Sequence, residues 1–299
     1  MYPIVLETTL PHLQIFERTP FWDMYQLNDR LLLVALDRIA WNGQTIKTGI
    51  PWKGLITVQI LEKIFDLLRD QIPTFFITSD LNRMSSVFQS TPALLEGRSF
   101  LVKKTSLVPL ECEIVRYAFH PFYKKRAKYM DPSEKILADS IEYGQPFPSP
   151  ILLLKGRKRS GKLSYLTSGQ MAEIVGDKIA EDMRRLSLQT FTILEDFFKS
   201  KELYLAKVKL KWGFHNGQLL LSHLLFNGEE MVLWDQVPGA DGRLTFPPSF
   251  EKSPVESYFR SHPSASDNFI LPEEVKKEVF RRYQWLYEKI TDKKLDLEA

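Results

Sequence analysis

The sequence predicts an α+β fold built on antiparallel strands, with a long internal helix and another helix near the C-terminus. Three observations predict it. Short β-type runs and one helical stretch fill the first part of the chain, a long helical periodicity opens after Thr167, and a strand pair closed by His215-Asn216-Gly217 follows. Strands and helices that cluster rather than alternate strictly point to segregated layers rather than a parallel sheet.

Leu31–Leu36 follows the turn-forming Asn28-Asp29 and reads as a buried strand. From Lys53 to Leu68 the residues Leu55, Val58, Leu61, Ile64, Phe65 and Leu68 recur on one helical face, and Pro73 bars continuation. Ser99–Lys104 and Cys112–Tyr117 are rich in Phe, Val and Ile and read as strands joined through a loop containing Pro109. Tyr143–Pro150, with Pro146, Pro148 and Pro150, reads as a boundary or linker. Thr167-Ser168 offers caps to one long helix traced by Met171, Ile174, Val175, Ile179, Met183, Leu186 and Ile193. In Tyr204–Trp212 the apolar Ala206, Val208, Leu210 and Trp212 alternate with Lys207, Lys209 and Lys211. Gln218–Leu225 is the return strand of that hairpin, and Glu273–Ile290 is a terminal helix lined by Val275, Val279, Tyr283, Leu286 and Ile290. The division expected is a β-rich N-terminal lobe over residues 1–105 and an α+β lobe over 106–299.

Composition narrows the function. Forty Lys+Arg against thirty-seven Asp+Glu leave a net charge of +3 in 299 residues, too balanced for a protein-wide nucleic-acid field. No apolar run approaches the roughly 18 residues that span a bilayer, and the first residues lack the basic start and apolar stretch of a secretion signal. The single cysteine, Cys112, excludes an internal disulfide framework and a Cys-rich zinc site. These features lead us to expect a cytoplasmic protein with no nucleic-acid or membrane partner.

The local motifs are weak by themselves. Gly156–Leu163 meets Gly-x4-Gly-Lys but has Leu163 where a magnesium-binding hydroxyl belongs, and Ser164–Gly169 reads as loop where a helix should begin. A basic surface loop explains it better. The five histidines show no ligand spacing, and Cys112 reads as a buried filler within a strand. Lys124-Lys125-Arg126 with Lys128 reads as a solvated face, and Phe280, Tyr283, Trp285 and Tyr287 as core or subunit-contact residues.

The order of segments is more specific. Asp37-Arg38-Ile39 after a strand, then Gly49-Ile50-Pro51-x-Lys53-Gly54, resembles the Asp-Arg-Ile-Ser-Ala-Phe-Asp and Gly-Ile-Pro-x-Lys-Gly segments of the SAICAR synthetase family. Gly97–Lys104, followed by Pro109-Leu110-Glu111-Cys112 and Arg116, is similar to its Gly-Arg-Ser-Met-Leu-Val-Arg-Lys and Pro-Ile-Glu-Cys segments. Leu205–Gly213 resembles its Leu-Ala-Asp-Thr-Lys-Phe-Glu-Phe-Gly strand, and the likeness runs over roughly residues 15–235. The resemblance implies a two-lobed fold related to ATP-grasp and kinase-like folds, with a nucleotide between the lobes. It also implies ATP-dependent joining of aspartate to a carboxylated aminoimidazole ribonucleotide, with magnesium.

Against that pattern the chemical groups are eroded. The family's Gly-Lys-Val-Arg-Asp-Ile-Tyr phosphate loop corresponds to Thr19-Pro20-Phe21-Trp22-Asp23-Met24-Tyr25, which loses the Lys, the Arg and the first Gly. The Ser and final Asp of the first segment become Ala40 and Gly43. The Asp and Glu of the metal strand correspond to Lys207 and Lys211, and the following Asp-Glu pair to His223 and Leu224. The family's Thr-Pro-Asp-Ser-Ser-Arg segment becomes Asn227–Val232, and its Thr-Gly-Ser is replaced around His120-Pro121-Phe122. Two cations about 4 Å apart repel by roughly 4 kcal/mol at an effective dielectric of 20, so magnesium is not expected in such a place.

The expectation is therefore a family relative that has lost or changed its chemistry and binds a small anionic or nucleotide-like ligand in the cleft between lobes. Arg38, Lys53, Lys103, Lys104, Glu111, Arg116, Lys207, Lys209, Lys211 and His223 are the candidate ligand-binding residues. No catalytic residue and no metal ligand is expected, and a homo-oligomer stays open. The alternative is an active ATP-dependent carboxylate–amine ligase that takes ATP and magnesium, its metal and phosphate groups moved to Glu229, Glu230 and the Arg157–Lys162 loop. A third reading is a pure interaction subunit that docks through the terminal helix.

Overall fold

A computed structural model describes residues 4–41, 44–84, 92–119, 127–130, 132, 135–136, 141–157, 163–239, 247–263 and 270–296. Gly43, the replacement around His120-Pro121-Phe122, the Lys124-Lys125-Arg126 cluster and residues 158–162 of the glycine-containing loop lie outside them. Along the chain run β1 (Ile15–Arg18), β2 (Trp22–Leu27), β3 (Arg30–Ala35), β4 (Arg38–Trp41), β5 (Gln44–Gly49) and α1 (Lys53–Leu68). Then come β6 (Phe76–Thr78), β7 (Ser99–Lys103), β8 (Ser106–Leu107), β9 (Leu110–Tyr117), β10 (Pro146–Arg157) and β11 (Leu163–Leu166). The remainder comprises α2 (Ser168–Val175), α3 (Asp177–Ser200), β12 (Tyr204–His215), β13 (Gln218–His223), β14 (Met231–Trp234), α4 (Ser253–Ser261) and α5 (Glu273–Thr291). Every pairing between these strands is antiparallel. Among the described residues no helix is long and apolar enough to cross a membrane.

The chain divides into two compact units, one of Met1–Leu67, Phe75–Lys104 and Phe250–Ala299, the other of Leu68–Thr74 and Thr105–Ser249. The sequence reading runs its second lobe from residue 106 to the C-terminus, whereas contacts group the terminal segment with the first unit. Side chains distant in sequence hold it there. Trp41 stacks on Phe259 with ring centroids 4.5 Å apart, and the Tyr287 hydroxyl donates to Gln59 Oε1 at 2.8 Å.

In the first unit the sheet order is β1-β2-β3-β7-β6, with β4-β5 as a separate ribbon. Strand β3 has neighbours on both sides and is buried from Leu31 to Ala35, which explains why it reads as a continuous apolar run rather than an alternation. Helix α1 forms over the residues its periodicity predicts, burying Ile56, Ile60, Leu61, Ile64, Phe65 and Leu68. Its first turn presses against β3: a Cβ added to Gly54 would meet the Ala35 carbonyl oxygen at 2.6 Å, so only glycine fits this close approach.

The second unit carries a seven-stranded sheet ordered β11-β10-β9-β12-β13, with β14 and β8 also pairing β12. Helix α3 lies on one face and buries Met183, Leu186, Phe191, Leu194 and Phe198. Each such side chain contributes about 1.5–3 kcal/mol of transfer free energy. The Trp212 indole N–H donates to Ser187 Oγ at 2.9 Å and so fixes the helix over the middle of β12. The β12–β13 turn is Asn216-Gly217 with φ of 49° and 78°, the left-handed pair that a two-residue hairpin of this kind requires.

Two expectations change. Residues 146–150 belong to strand β10, not to a linker. Proline donates no ladder hydrogen bond, and the β9–β10 register is broken between Pro146 and Ile151, so the three prolines fall where regular pairing has lapsed. The single long helix is two, parted at Gly176, whose φ of 83° no helix accommodates. Thr167 caps the first through a reciprocal capping box with Gln170.

Candidate anion-binding site

Strand β12 runs down the middle of the second unit's sheet and alternates as its sequence demands. Val208 and Leu210 are fully buried, whereas Lys207, Lys209 and Lys211 are half-buried on the opposite face. Register places their neighbours. Lys209 stands opposite Glu113 of β9, Lys207 opposite Val115, and Lys211 opposite His223 of β13. On its other edge the Lys209 amide donates to the Glu230 carbonyl oxygen at 2.8 Å. Paired residues on adjacent strands share a face, so the three lysines, Glu113 and His223 lie together.

Strand β10 extends the same face. Lys155 pairs in register with Glu111, and its ammonium lies 3.1 Å from Glu113 Oε2 and 3.5 Å from Glu111 Oε1. Glu113 is 4% exposed, so Lys155 supplies the charge partner that a buried carboxylate needs. His223 Nε2 and Glu230 Oε2 are 2.5 Å apart. The Asn227 side-chain oxygen accepts from the Glu229 and Glu230 amides, both at 2.9 Å, and holds the turn that presents Glu230. Burial works to raise the Glu230 carboxyl, but the hydrogen bond and charge of His223, with the charges of Lys209 and Lys211, hold it below the usual carboxylate range.

The other predicted residues are placed elsewhere. Arg116 points to the opposite face, donating to the Phe147 carbonyl at 2.7 Å and pairing with Glu195 of α3 at 2.8 Å. Burial raises the Glu195 carboxyl against the opposing charge of Arg116. Arg38, Lys53, Lys103 and Lys104 belong to the first unit. Arg38 reaches Glu7 at 3.8 Å, Lys103 closes the β3–β7 ladder opposite Arg30, and the Lys104 ammonium donates to Gln26 Oε1 at 2.8 Å. Lys53 is 2% exposed, with its ammonium 5.1 Å from the Phe21 ring centroid and 5.7 Å from that of Tyr283. Burial lowers its pKa to about 8, opposed by the charge of Asp37. Cys112 is buried under α3, and burial pushes its thiol up to about 11.

Two further segments carry motifs weighed in the sequence. Thr19-Pro20-Phe21 is a tight turn in which Thr19 Oγ1 accepts from the amides of Phe21 and Trp22. Trp22 stacks on Phe100 at 5.7 Å and is buried in the core of its unit. The Gly156–Leu163 segment joins β10 to β11, paired Arg157 to Leu163, and a strand rather than a helix N-terminus follows it. Among the described residues no three His, Cys, Asp or Glu converge as a metal would need. The carboxylates nearest the lysine row are engaged, Glu113 with Lys155 and Glu230 with His223, so this donor set does not fit magnesium.

Sequence reasoning missed Glu113 and Lys155. Glu111-Cys112-Glu113 is an alternation that places both glutamates on one strand face, a signal present in the sequence once the strand is begun at Leu110 rather than Cys112.

The architecture is that of a known fold class. The SAICAR synthase of Saccharomyces cerevisiae, solved in complex with SAICAR, superposes with a TM-score of 0.80 at 21% identity, over 98% of this chain and 99% of that one. SAICAR synthetase from Pyrococcus horikoshii matches with a TM-score of 0.61 at 19% identity, over 92% and 100% of the two chains. The SAICAR synthetase family model matches residues 21–266, and the chain belongs to that family. Among curated relatives, the phosphoribosylaminoimidazole-succinocarboxamide synthase of Thermodesulfovibrio yellowstonii is 27% identical over 297 residues, 97% of this chain and all of that one. The enzyme of the same name from Desulfotalea psychrophila is 29% identical over 302 residues, 98% of this chain and all of that one.

Proposed function

We propose that this member of the SAICAR synthetase family binds a small anionic, nucleotide-like ligand on the charged face of the second unit's sheet and does not perform ATP-driven amide ligation. The observation that carries the reading is the row Lys207, Lys209 and Lys211, half-buried on one face where the family resemblance expects metal-binding carboxylates at the first and last positions. Phosphoryl transfer rests on positioning and on charge neutralisation around a metal-bound polyphosphate. Ammonium groups neutralise an anion directly but repel the metal, so binding is kept while the catalytic arrangement is lost. The buried Trp22 supports the same conclusion from the phosphate-loop side. In this reading the protein is a non-catalytic relative working in the cytosol. An assay of ADP release with ATP, magnesium, aspartate and the carboxylated aminoimidazole ribonucleotide tests it, with no turnover expected.

A second reading, an active ligase, is favoured by the synthase names of relatives that align over nearly the whole chain. It requires metal ligation by groups such as Glu229 and Glu230. Magnesium-dependent ADP release in the same assay would establish it and displace the first reading.

A further inference from the structure

We infer that Glu230 is an internal competitor within the anion site: its carboxylate occupies the anion position beside Lys209, Lys211 and His223, and a phosphate-class ligand enters by displacing it. The inference rests on the reading that this sheet face binds an anion. Glu230 is brought there by chain geometry rather than by chance contact. Its carbonyl accepts from the Lys209 amide, its own amide is held by Asn227 Oδ1, and its carboxylate meets His223 Nε2. The remaining carboxylates at the heart of the face, Glu111 and Glu113, already share Lys155.

The charge count selects the ligand class. Glu230 brings one negative charge to the face on which register places Lys209, Lys211 and His223, its carboxylate meeting the His223 imidazole. A monocarboxylate would exchange like for like and gain little. An ion with two or more charges spreads over all three groups and repays the loss of the Glu230 contacts. Alternate residues of a strand lie roughly 6.6 Å apart, a span that two flexible lysyl stems close on a single diphosphate. The expected ligand is therefore a phosphate monoester or diphosphate that is free of metal, because chelated magnesium cancels the charge that the lysines read.

Calorimetric titration of the full chain with inorganic pyrophosphate in EDTA tests this, with acetate as the monocarboxylate control. Glu230→Gln and Glu230→Ala should each bind pyrophosphate about tenfold more tightly than the unaltered protein, and Lys209→Ala with Lys211→Ala should abolish binding. Should neither Glu230 variant fold, the His223 ring signals of the unaltered protein provide the reading. They should shift with pyrophosphate and not with acetate, and signals that stay still while pyrophosphate binds would overturn the inference. Binding that depends on the two lysines but is unchanged or weakened in the Glu230 variants would overturn the competitor role and leave the anion reading standing. Absence of pyrophosphate binding in every variant, or binding indifferent to the lysines, would remove the anion reading and the inference with it.

Discussion

Lys209 and Glu113 face each other across β9 and β12, a cation and a carboxylate in direct register at the centre of a seven-stranded sheet. The carboxylate is almost entirely enclosed, and its ion-pair partner, Lys155, reaches it from the strand on the other side. The sheet face thus sets the ion pairs of Lys155 with Glu113 and of His223 with Glu230 beside the lysine row.

Lys155→Met should therefore destabilise the protein by about 1–3 kcal/mol, because it takes an ion-pair partner away from a buried carboxylate. Adding Glu113→Gln should recover most of that loss, since the group left behind is then neutral. Urea denaturation of both single variants and the double variant measures the coupling. Additive losses would show that the pair does not act as one.

Ser187→Ala removes the acceptor of the Trp212 indole N–H inside the α3–sheet interface. A cost of about 1–3 kcal/mol is expected, with pyrophosphate affinity unchanged, because the contact lies on the face opposite the lysines. Thermal unfolding and calorimetry together read the two quantities.

Lys53 gives the protein a distinctive alkaline behaviour. Its folded pKa, lowered by burial to about 8, lies below the ordinary 10.5, so between these values the unfolded chain holds a proton that the folded chain has released. Stability from this group consequently rises as pH increases from about 8 to 10.5, by about 3 kcal/mol in total. Lys53→Met should remove that slope, and comparing urea midpoints of the two proteins across the range checks it. Parallel curves would contradict the assignment.

Much of the fold was legible because local patterns agree with tertiary demands. The apolar spacing of Lys53–Leu68, the alternation of Tyr204–Trp212 and the Asn216-Gly217 turn each match the structure closely. Where local and tertiary signals part, the sequence misleads. Pro146, Pro148 and Pro150 carry a linker composition yet lie in a strand, because a neighbouring strand tolerates them at a break in register. Gly176 interrupts a helical periodicity that runs on both sides of it. The candidate site was half legible. The lysine row is visible as a period of two, but its partners Glu113, Lys155 and Glu230 come from strands and a loop far away in sequence, and register alone brings them together. Arg116 and Lys53 show the reverse: matched motif residues whose contacts are internal to their own units, Arg116 with Glu195 and Lys53 among Phe21, Tyr283 and Asp37.

The central claim is that ammonium groups have taken over the place of a divalent ion. Calorimetry with ATP, once in EDTA and once in excess magnesium, examines it most directly. The account predicts binding in EDTA that weakens when magnesium sheathes the triphosphate. Binding seen only when magnesium is present, accompanied by ADP release on adding the other substrates, would contradict it.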